Sequence, residues 1–294
     1  MPGTFENHIV VPTDFSEQSL IALGQSYNLA RFTKADITLV HVMDEDLFSS
    51  LRHVFKSDEE QEKLLRIGIQ TQMDTLANET RAKAGIEVKT VIRKGKIYDE
   101  INTLAEELKA AFIIMGTNGK STIRKKFIGS NARKVIDEAP CPVITIKGKD
   151  HRQGCKTIVL PLDLSRETKE KVDECIEIAK FFGSNVKVMS VVDTRDEYLI
   201  NKLTRQLDQV TDFLSSHNIE TTGEFIHGND IAEEVLKYAE KVKADLIIIM
   251  TQQELVWTEY FIGTASQKVI NESIIPVCSI RPIERKNMTE FVIS

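Results

Sequence analysis

An internal repeat divides this 294-residue chain into two similar halves. The segment HIVVPTDFS at residues 8–16 returns as TIVLPLDLS at residues 157–165, and at this offset nine positions between His8 and Asp44 are identical in the second copy. The ends of the halves correspond as well, since residues 129–146 and 263–280 share eight of eighteen positions. Because each half is long enough to bury its own core, we expect two domains of one fold, residues 1–148 and 149–294.

Short apolar runs alternate with longer segments of helical periodicity in both halves. The expected strands of the first half are residues 9–13, 37–42, 88–93, 112–115 and 143–146, and those of the second half lie near Ile158, Val186, Glu224, Leu246 and Val277. Alternation of strands and helices indicates parallel sheets with right-handed crossovers. The sequence therefore predicts an α/β fold, with two open five-stranded parallel sheets of order 3-2-1-4-5 and helices on both faces of each.

Composition narrows the possible partners and the compartment. The net charge of −6 argues against a nucleic-acid partner, since such binders usually carry a basic surplus. The four cysteines form no CxxC pair, so neither a zinc site nor a disulfide scaffold is indicated. No signal peptide is recognisable, and the apolar runs are too short to cross a bilayer. We expect a cytoplasmic protein with no membrane partner.

The segment GKST at residues 119–122 looks like the end of a P-loop. A P-loop requires a glycine five residues before the glycine of GK, and Ile114 occupies that position. The glycines that are present, Gly116, Gly119 and Gly129, need another explanation.

A ligand of an open parallel sheet binds where the strand order reverses, here between the first and fourth strands. Asp14 follows the first strand, and Met115 and Gly116 end the fourth. Gly116 and Gly119 would let the backbone approach a ligand, and Gly129 with Ser130 would begin a helix whose free N–H groups suit phosphate oxygens. Asp14 can accept a hydrogen bond from a ribose hydroxyl or a base amine.

Each of these elements also has an ordinary structural explanation. Asp14 could cap the helix that begins near Ser16, Gly116 could be a turn at the end of a strand, and Gly129 with Ser130 could be a simple helix start. Their convergence on one crevice favours the binding interpretation.

In these residues the chain resembles the universal stress protein family. The nucleotide-binding members of that family carry G-x2-G-x9-G-[ST], and Gly116, Gly119, Gly129 and Ser130 reproduce this spacing. The segments VVPTDFS, LVHVMD and CPVITI extend the resemblance, which covers both repeats over nearly the full length.

The resemblance implies a protein that binds ATP, with Mg²⁺ held by the phosphates, and acts as a stress-response sensor or regulator. The positions that match the family's binding site are Asp14 and Val42 at the adenine, Met115 and Gly116 beside the ribose, Gly119, Gly129 and Ser130 at the phosphates, and Asn131 as a further polar contact. Gly95 matches another loop glycine of the family.

The resemblance also implies how the domains associate. Domains of the family commonly pair through their fifth strands, which PVITI and PVCSI match here. We expect the two repeats to pair within one chain as a pseudo-twofold dimer, and a homodimer of chains stays open.

The second half departs from the binding motif. The segment MGTNGKSTIRKKFIGS of the first half has become MTQQELVWTEYFIGT, so that Thr251 would replace the first glycine, Glu254 would fall near the second, and the loop would be one residue shorter. Gly263 and Thr264 would still begin a helix. We expect one competent nucleotide site, in the first half, and a structural role for the second.

No dedicated catalytic apparatus or metal-ligand set is recognisable. The six histidines do not cluster, and His41 lies in an apolar strand, where we expect a core residue. Two alternatives to the nucleotide sensor stay open: a stress-associated scaffold that binds no nucleotide, and a slow ATPase.

Overall fold

The structure is a computed structural model that describes residues 6–45, 59–117, 128–148, 153–163, 168–192, 194–251 and 259–281. The chain divides into two compact units, Met1–Gln153 and Gly154–Ser294.

The first unit alternates strands and helices along the chain. Its elements are β1 (Glu6–Pro12), α1 (Glu17–Thr33), β2 (Asp36–Asp44), α2 (Glu59–Ala84), β3 (Val88–Gly95), α3 (Ile97–Glu107), β4 (Ala110–Gly116), α4 (Ser130–Glu138) and β5 (Val143–Ile146). The strands are parallel and lie in the order β3-β2-β1-β4-β5.

The second unit repeats this arrangement. Its elements are β6 (Thr157–Leu162), α5 (Thr168–Phe182), β7 (Asn185–Val192), α6 (Glu197–Ser216), β8 (Thr221–His227), α7 (Ile231–Lys241), β9 (Leu246–Met250), α8 (Glu259–Glu272) and β10 (Val277–Ile280). Its strands are also parallel, in the order β8-β7-β6-β9-β10. The predicted α/β fold with strand order 3-2-1-4-5 is thus confirmed in each unit.

The central strands form the cores of both units. Phe112, Ile113 and Ile114 of β4 are fully buried, as are Ile247 and Ile248 of β9. Runs without polar alternation are typical of parallel strands that are covered on both faces, which is why these two strands could be predicted. β4 also includes Ala110 and Ala111, which a pattern search for large apolar residues leaves out.

Sheet register corrects the alignment of the two copies. Phe112 pairs with Ile9 in the first unit, and Leu246 pairs with Ile158, the equivalent of Ile9, in the second. Counted from these pairs, Met250 corresponds to Gly116 and Thr251 to Thr117. The expectation that Thr251 replaces the first glycine and that the loop is one residue shorter is therefore wrong.

The expected helix start at Gly263 and Thr264 is also wrong. Helix α8 begins at Glu259, so Gly263 is its fifth residue, whereas α4 begins at Ser130 directly after the equivalent Gly129. Glycine lowers helix stability only modestly and does not by itself end or begin a helix, because the residues before it decide whether the helix extends. None of the helices within the described residues is both long and apolar enough to cross a membrane.

Candidate nucleotide-binding site

The candidate site of the first unit lies where β1 and β4, neighbours in the sheet, both end. We call this place the Asp14 crevice, since Asp14 follows β1 and Gly116 ends β4. Thr13 extends the sheet by one bond, because its N–H donates to Val40 O at 2.8 Å. This is the point of strand reversal at which parallel sheets bind ligands.

Close packing joins β4 to the first turn of α1. A methyl group added at Gly116 would lie 2.9 Å from Gln18 Cγ and 3.0 Å from the Gln18 carbonyl oxygen. The Gln18 side chain in turn donates from Nε2 to Ile146 O at 2.8 Å, at the end of β5. Gly116 therefore has a packing reason, which the sequence did not show, beside any role in admitting a ligand.

Asp14 stabilises the turn between β1 and α1. Its Oδ1 accepts a hydrogen bond from Ser16 N–H at 3.0 Å, and its side chain is half-buried. The helix cap itself is Ser16, whose Oγ accepts from Ser19 N–H at 3.2 Å. The ordinary explanation of Asp14 as the cap of α1 is thus replaced by a related one, in which Asp14 orders the turn before the cap.

Phe15, next to Asp14, has a left-handed backbone with φ of 60°. Its N–H donates to the buried Thr13 Oγ1 at 3.1 Å, and its ring stacks on His41 with 4.9 Å between ring centroids. His41 Nδ1 lies 2.8 Å from Thr13 O, and since a carbonyl can only accept, Nδ1 is the donor. His41 is half-buried in the second half of β2 and is not a plain core residue.

The N-terminus of α4 closes the crevice on the side of β4. Gly129 N–H donates to Thr117 O at 2.8 Å. Since Thr117 directly follows β4 and Gly129 directly precedes α4, this bond holds the start of the helix beside the end of the strand. Gly129 is the N-cap residue and brings no side-chain cap, and the first turn of α4 contains no acidic residue. Ser130 and Asn131 are exposed there. Because the first amides of a helix have no partner within it, this end carries partial positive charge and open donors.

The other predicted residues differ in how they could contribute. Val42 is half-buried near the end of β2, while Met115 is 7% exposed, so only its backbone could face a ligand. Gly95 has φ of 154°, a backbone angle that residues with a side chain rarely adopt, so the conformation at the end of β3 explains this glycine. Gly119 lies outside the described residues. Asp14 and Gly116 thus lie where two neighbouring strands end, and Ser130 and Asn131 follow Gly129, which is hydrogen-bonded to the residue after Gly116.

The equivalent aspartate of the second unit is already engaged by the protein. Asp163 Oδ1 accepts from Thr168 Oγ1 at 3.2 Å, and its Oδ2 lies 3.7 Å from Lys171 Nζ. Both side chains are largely buried, with 17% of the Asp163 side chain and 5% of the Lys171 side chain exposed. The equivalent of Lys171 in the first unit is the fully buried Ala22, which has no charge to offer Asp14.

The strand end and the helix start of the second unit are also changed. Met250, at the position of Gly116, is 3% exposed, so a large apolar side chain is packed where the first unit has none. Helix α8 includes the turn before Gly263, which places the amides after Gly263 inside the helix rather than at its open end. Comparison of position 22 with position 171 in the repeat could have revealed Lys171 from the sequence, whereas Met250 needed the sheet register.

Similarity to known proteins agrees with these observations. The sequence model described as the universal stress protein family matches residues 6–147 and 154–281. Universal stress protein MJ0531 of Methanocaldococcus jannaschii is 33% identical over 141 residues, covering 47% of this chain and 81% of that protein. Universal stress protein MJ0577 of the same organism is 33% identical over 155 residues, covering 48% of this chain and 95% of that protein.

A solved structure matches nearly the whole chain. The crystal structure of a universal stress protein from Archaeoglobus fulgidus has a TM-score of 0.73 and 20% identity, and the match covers 95% of this chain and 98% of that one. At this identity the likeness bears on the fold. The family model, by contrast, matches almost all of both units, and the chain therefore belongs to the universal stress protein family.

Proposed function

We propose that the first unit binds ATP in the Asp14 crevice, and that the chain acts as a stress-response sensor or regulator whose state depends on this nucleotide. The observation that carries the proposal is the N-terminus of α4. It is held beside the end of β4 by the bond from Gly129 N–H to Thr117 O, and it has neither a capping side chain nor an acidic residue in its first turn.

The phosphates would bind at this helix end. The amides of Ser130, Asn131 and Ala132 have no acceptor within α4, because Arg133 N–H is the first to find one, at Gly129 O (3.0 Å). The Ser130 hydroxyl adds a donor, and the helix dipole favours negative charge at this end. Gly119 is the further residue that we expect at the phosphates.

The adenosine would lie towards β1 and β2. Asp14 supplies a carboxylate that can accept from a ribose hydroxyl or a base amine, and the backbones of Val42 and Met115 lie at the ends of their strands. Within the described residues no three His, Cys, Asp or Glu side chains form a group that could hold a metal ion. In this proposal Mg²⁺ is held by the phosphates, whose negative charge it partly neutralises.

The second unit is proposed to bind no nucleotide. Lys171 already forms an ion pair with Asp163, and the Met250 side chain fills the position of Gly116. Helix α8 also begins earlier in its repeat than α4 does in the first unit. The expected stoichiometry is one nucleotide per chain.

The test is calorimetric titration of Mg-ATP into the wild-type chain and into Asn131→Asp. An acidic residue in the first turn of α4 interacts favourably with the helix dipole and should not destabilise the fold, while its negative charge repels phosphate. We expect about one site per chain for the wild type and at least tenfold weaker binding for Asn131→Asp, a loss that corresponds to about 1.4 kcal/mol.

The matched control is Asn201→Asp, the same isosteric change at an exposed position in α6 of the second unit. It should bind like the wild type. Absence of binding by the wild type would contradict the proposal and favour the scaffold alternative. Release of phosphate that stops in an Asp14→Ala variant would favour the slow ATPase.

A further inference from the structure

The backbone of Phe15 is held in a conformation that its side chain disfavours. A φ of 60° is common for glycine and uncommon for an aromatic residue, because Cβ then crowds the following carbonyl. Such residues persist only where the surrounding contacts over-determine them, and they cluster at functional sites. Phe15 lies directly after Asp14, so its backbone angle sets the direction in which the chain leaves Asp14.

His41 holds this turn on both sides of Asp14. Its Nδ1 donates to Thr13 O at 2.8 Å, before Asp14, and its ring stacks on Phe15, after Asp14, with ring centroids 4.9 Å apart and an interplanar angle of 30°. Thr13 Oγ1 adds a bond from Phe15 N–H at 3.1 Å. One side chain from the neighbouring strand β2 thereby fixes the residues that flank the aspartate.

We propose that His41 is a positioning residue for nucleotide binding, which keeps Phe15 left-handed so that the Asp14 carboxylate meets the adenosine. This inference rests on the proposed function of the Asp14 crevice. It assigns to His41 a role at the ligand that it performs through Phe15 and Asp14, without touching the nucleotide itself.

The second unit lacks this arrangement, as expected if it serves a ligand. Ser190 occupies the position of His41, and Leu162 that of Thr13. Ser190 is fully buried, and within the described part of the chain its hydroxyl has no hydrogen-bond partner. A serine has no ring to stack on the residue after Asp163, and Leu162 has no hydroxyl to receive its N–H.

The experiment compares Mg-ATP affinity among the wild type, His41→Ala, Phe15→Gly and the double variant His41→Ala/Phe15→Gly. Without His41 the turn can relax to negative φ, and we expect affinity to fall about tenfold. Glycine reaches positive φ without strain, so Phe15→Gly alone should bind nearly as the wild type. In the double variant it should restore most of the affinity that His41→Ala loses.

The matched control is His217→Ala in the second unit. His217 Nδ1 lies 2.8 Å from Phe213 O and its ring contacts the Phe213 ring with 4.6 Å between centroids, so the variant removes contacts of the same kinds away from the Asp14 crevice. It should bind like the wild type. If His41→Ala fails to fold by circular dichroism, His41→Asn, which keeps a donor for Thr13 O, takes its place in the series.

Restoration by glycine separates positioning from packing. If the double variant binds as weakly as His41→Ala, or if His41→Ala binds like the wild type, His41 is not a positioning residue and the inference is overturned while the proposed function stands. If the wild type binds no Mg-ATP, the proposed function and this inference both fail.

Discussion

The Asp14 crevice and its counterpart around Asp163 have the same kind of parallel sheet, the same strand order and an equivalent aspartate, but they differ in what surrounds the carboxylate. In the first unit the neighbouring helix contributes Ala22, and in the second it contributes the buried Lys171, 3.7 Å from Asp163. The comparison shows that equivalent aspartates of the two repeats have different surroundings, with a buried lysine beside the carboxylate in the second unit and an alanine at the equivalent position of the first.

The ends of β4 and β9 also differ in the size of their side chains. Gly116 lets Gln18 approach within contact distance, while the buried Met250 fills the equivalent position with its own side chain. Both units nevertheless satisfy the last carbonyl of the fifth strand. Ile146 O accepts from Thr117 N–H and from Gln18 Nε2, and Ile280 O accepts from Thr251 N–H and from the Thr251 hydroxyl. The hydrogen bonds of the sheet are kept where the crevice is rebuilt.

The largest effect is expected from Lys171→Ala, which would give the second unit the residue of the first. It leaves the largely buried Asp163 carboxylate without its cation, and we expect a loss of about 3 kcal/mol in the free energy of unfolding. Urea unfolding, monitored by amide exchange in β6 and β9, would measure this loss of free energy in the second unit. In an Asp163→Asn background the same change should cost much less, and an equal loss there would show that the ion pair is not the cause.

A somewhat smaller effect should follow from the nucleotide itself. At a free Mg-ATP concentration of a hundred times Kd, binding stabilises the unit that binds by about 2.7 kcal/mol. Amide exchange should slow at the start of α4 and in the turn at Asp14, and remain unchanged at the start of α8. Equal protection in both units would mean that Lys171 and Met250 do not exclude the nucleotide.

Strand order and the position of the crevice could be predicted, because long apolar runs such as those of β4 and β9 are buried on both faces and the repeat shows the pattern twice. The correspondence of Met250 to Gly116 could not, since a shared methionine suggested a different alignment and only the sheet register decides between the two. The left-handed Phe15 is equally invisible in the sequence, because its propensity argues against the conformation that His41 and Thr13 stabilise.

Gly116→Ala should separate packing from ligand access at the end of β4. The added methyl group meets the Gln18 carbonyl oxygen at 3.0 Å, and we expect it to lower the free energy of unfolding by about 1–2 kcal/mol even without nucleotide. Gly68→Ala is the control, since a methyl group there, within helix α2, has no atom within 4 Å and should stabilise the chain by about 0.5–1 kcal/mol. Thermal unfolding of the two variants should therefore show shifts of opposite sign, and shifts of the same sign would contradict the packing argument.

The smallest effect concerns equivalent lysines on α4 and α8. Lys268 donates a hydrogen bond to Asp230, and this bond, helped by the N–H of Glu233, holds the pKa of Asp230 below its ordinary value. Lys134, at the same position in the first unit, lies over the Tyr98 ring instead, with Nζ 4.4 Å from the centroid. Because the pKa of Asp230 is lower in the folded state than in the unfolded state, its carboxylate stabilises the fold at pH values above the unfolded pKa of about 3.9. This contribution is lost as the pH falls through the pKa of the folded state.

Lys268→Met should accordingly raise the pKa of Asp230 towards its ordinary value, and an NMR titration of the carboxyl carbon between about pH 2 and 6 would follow it. Both side chains are more than a third exposed, so 1 M salt should reduce the difference between variant and wild type. Lys134→Met should leave the pKa of Asp230 unchanged, because Lys134 contacts the Tyr98 ring and is not among the groups that lower this pKa. A pKa that stays low in Lys268→Met would assign the shift to the Glu233 amide and the start of α7. The different contacts of Lys268 and Lys134 would then make little difference between the two units in the electrostatics of this helix end.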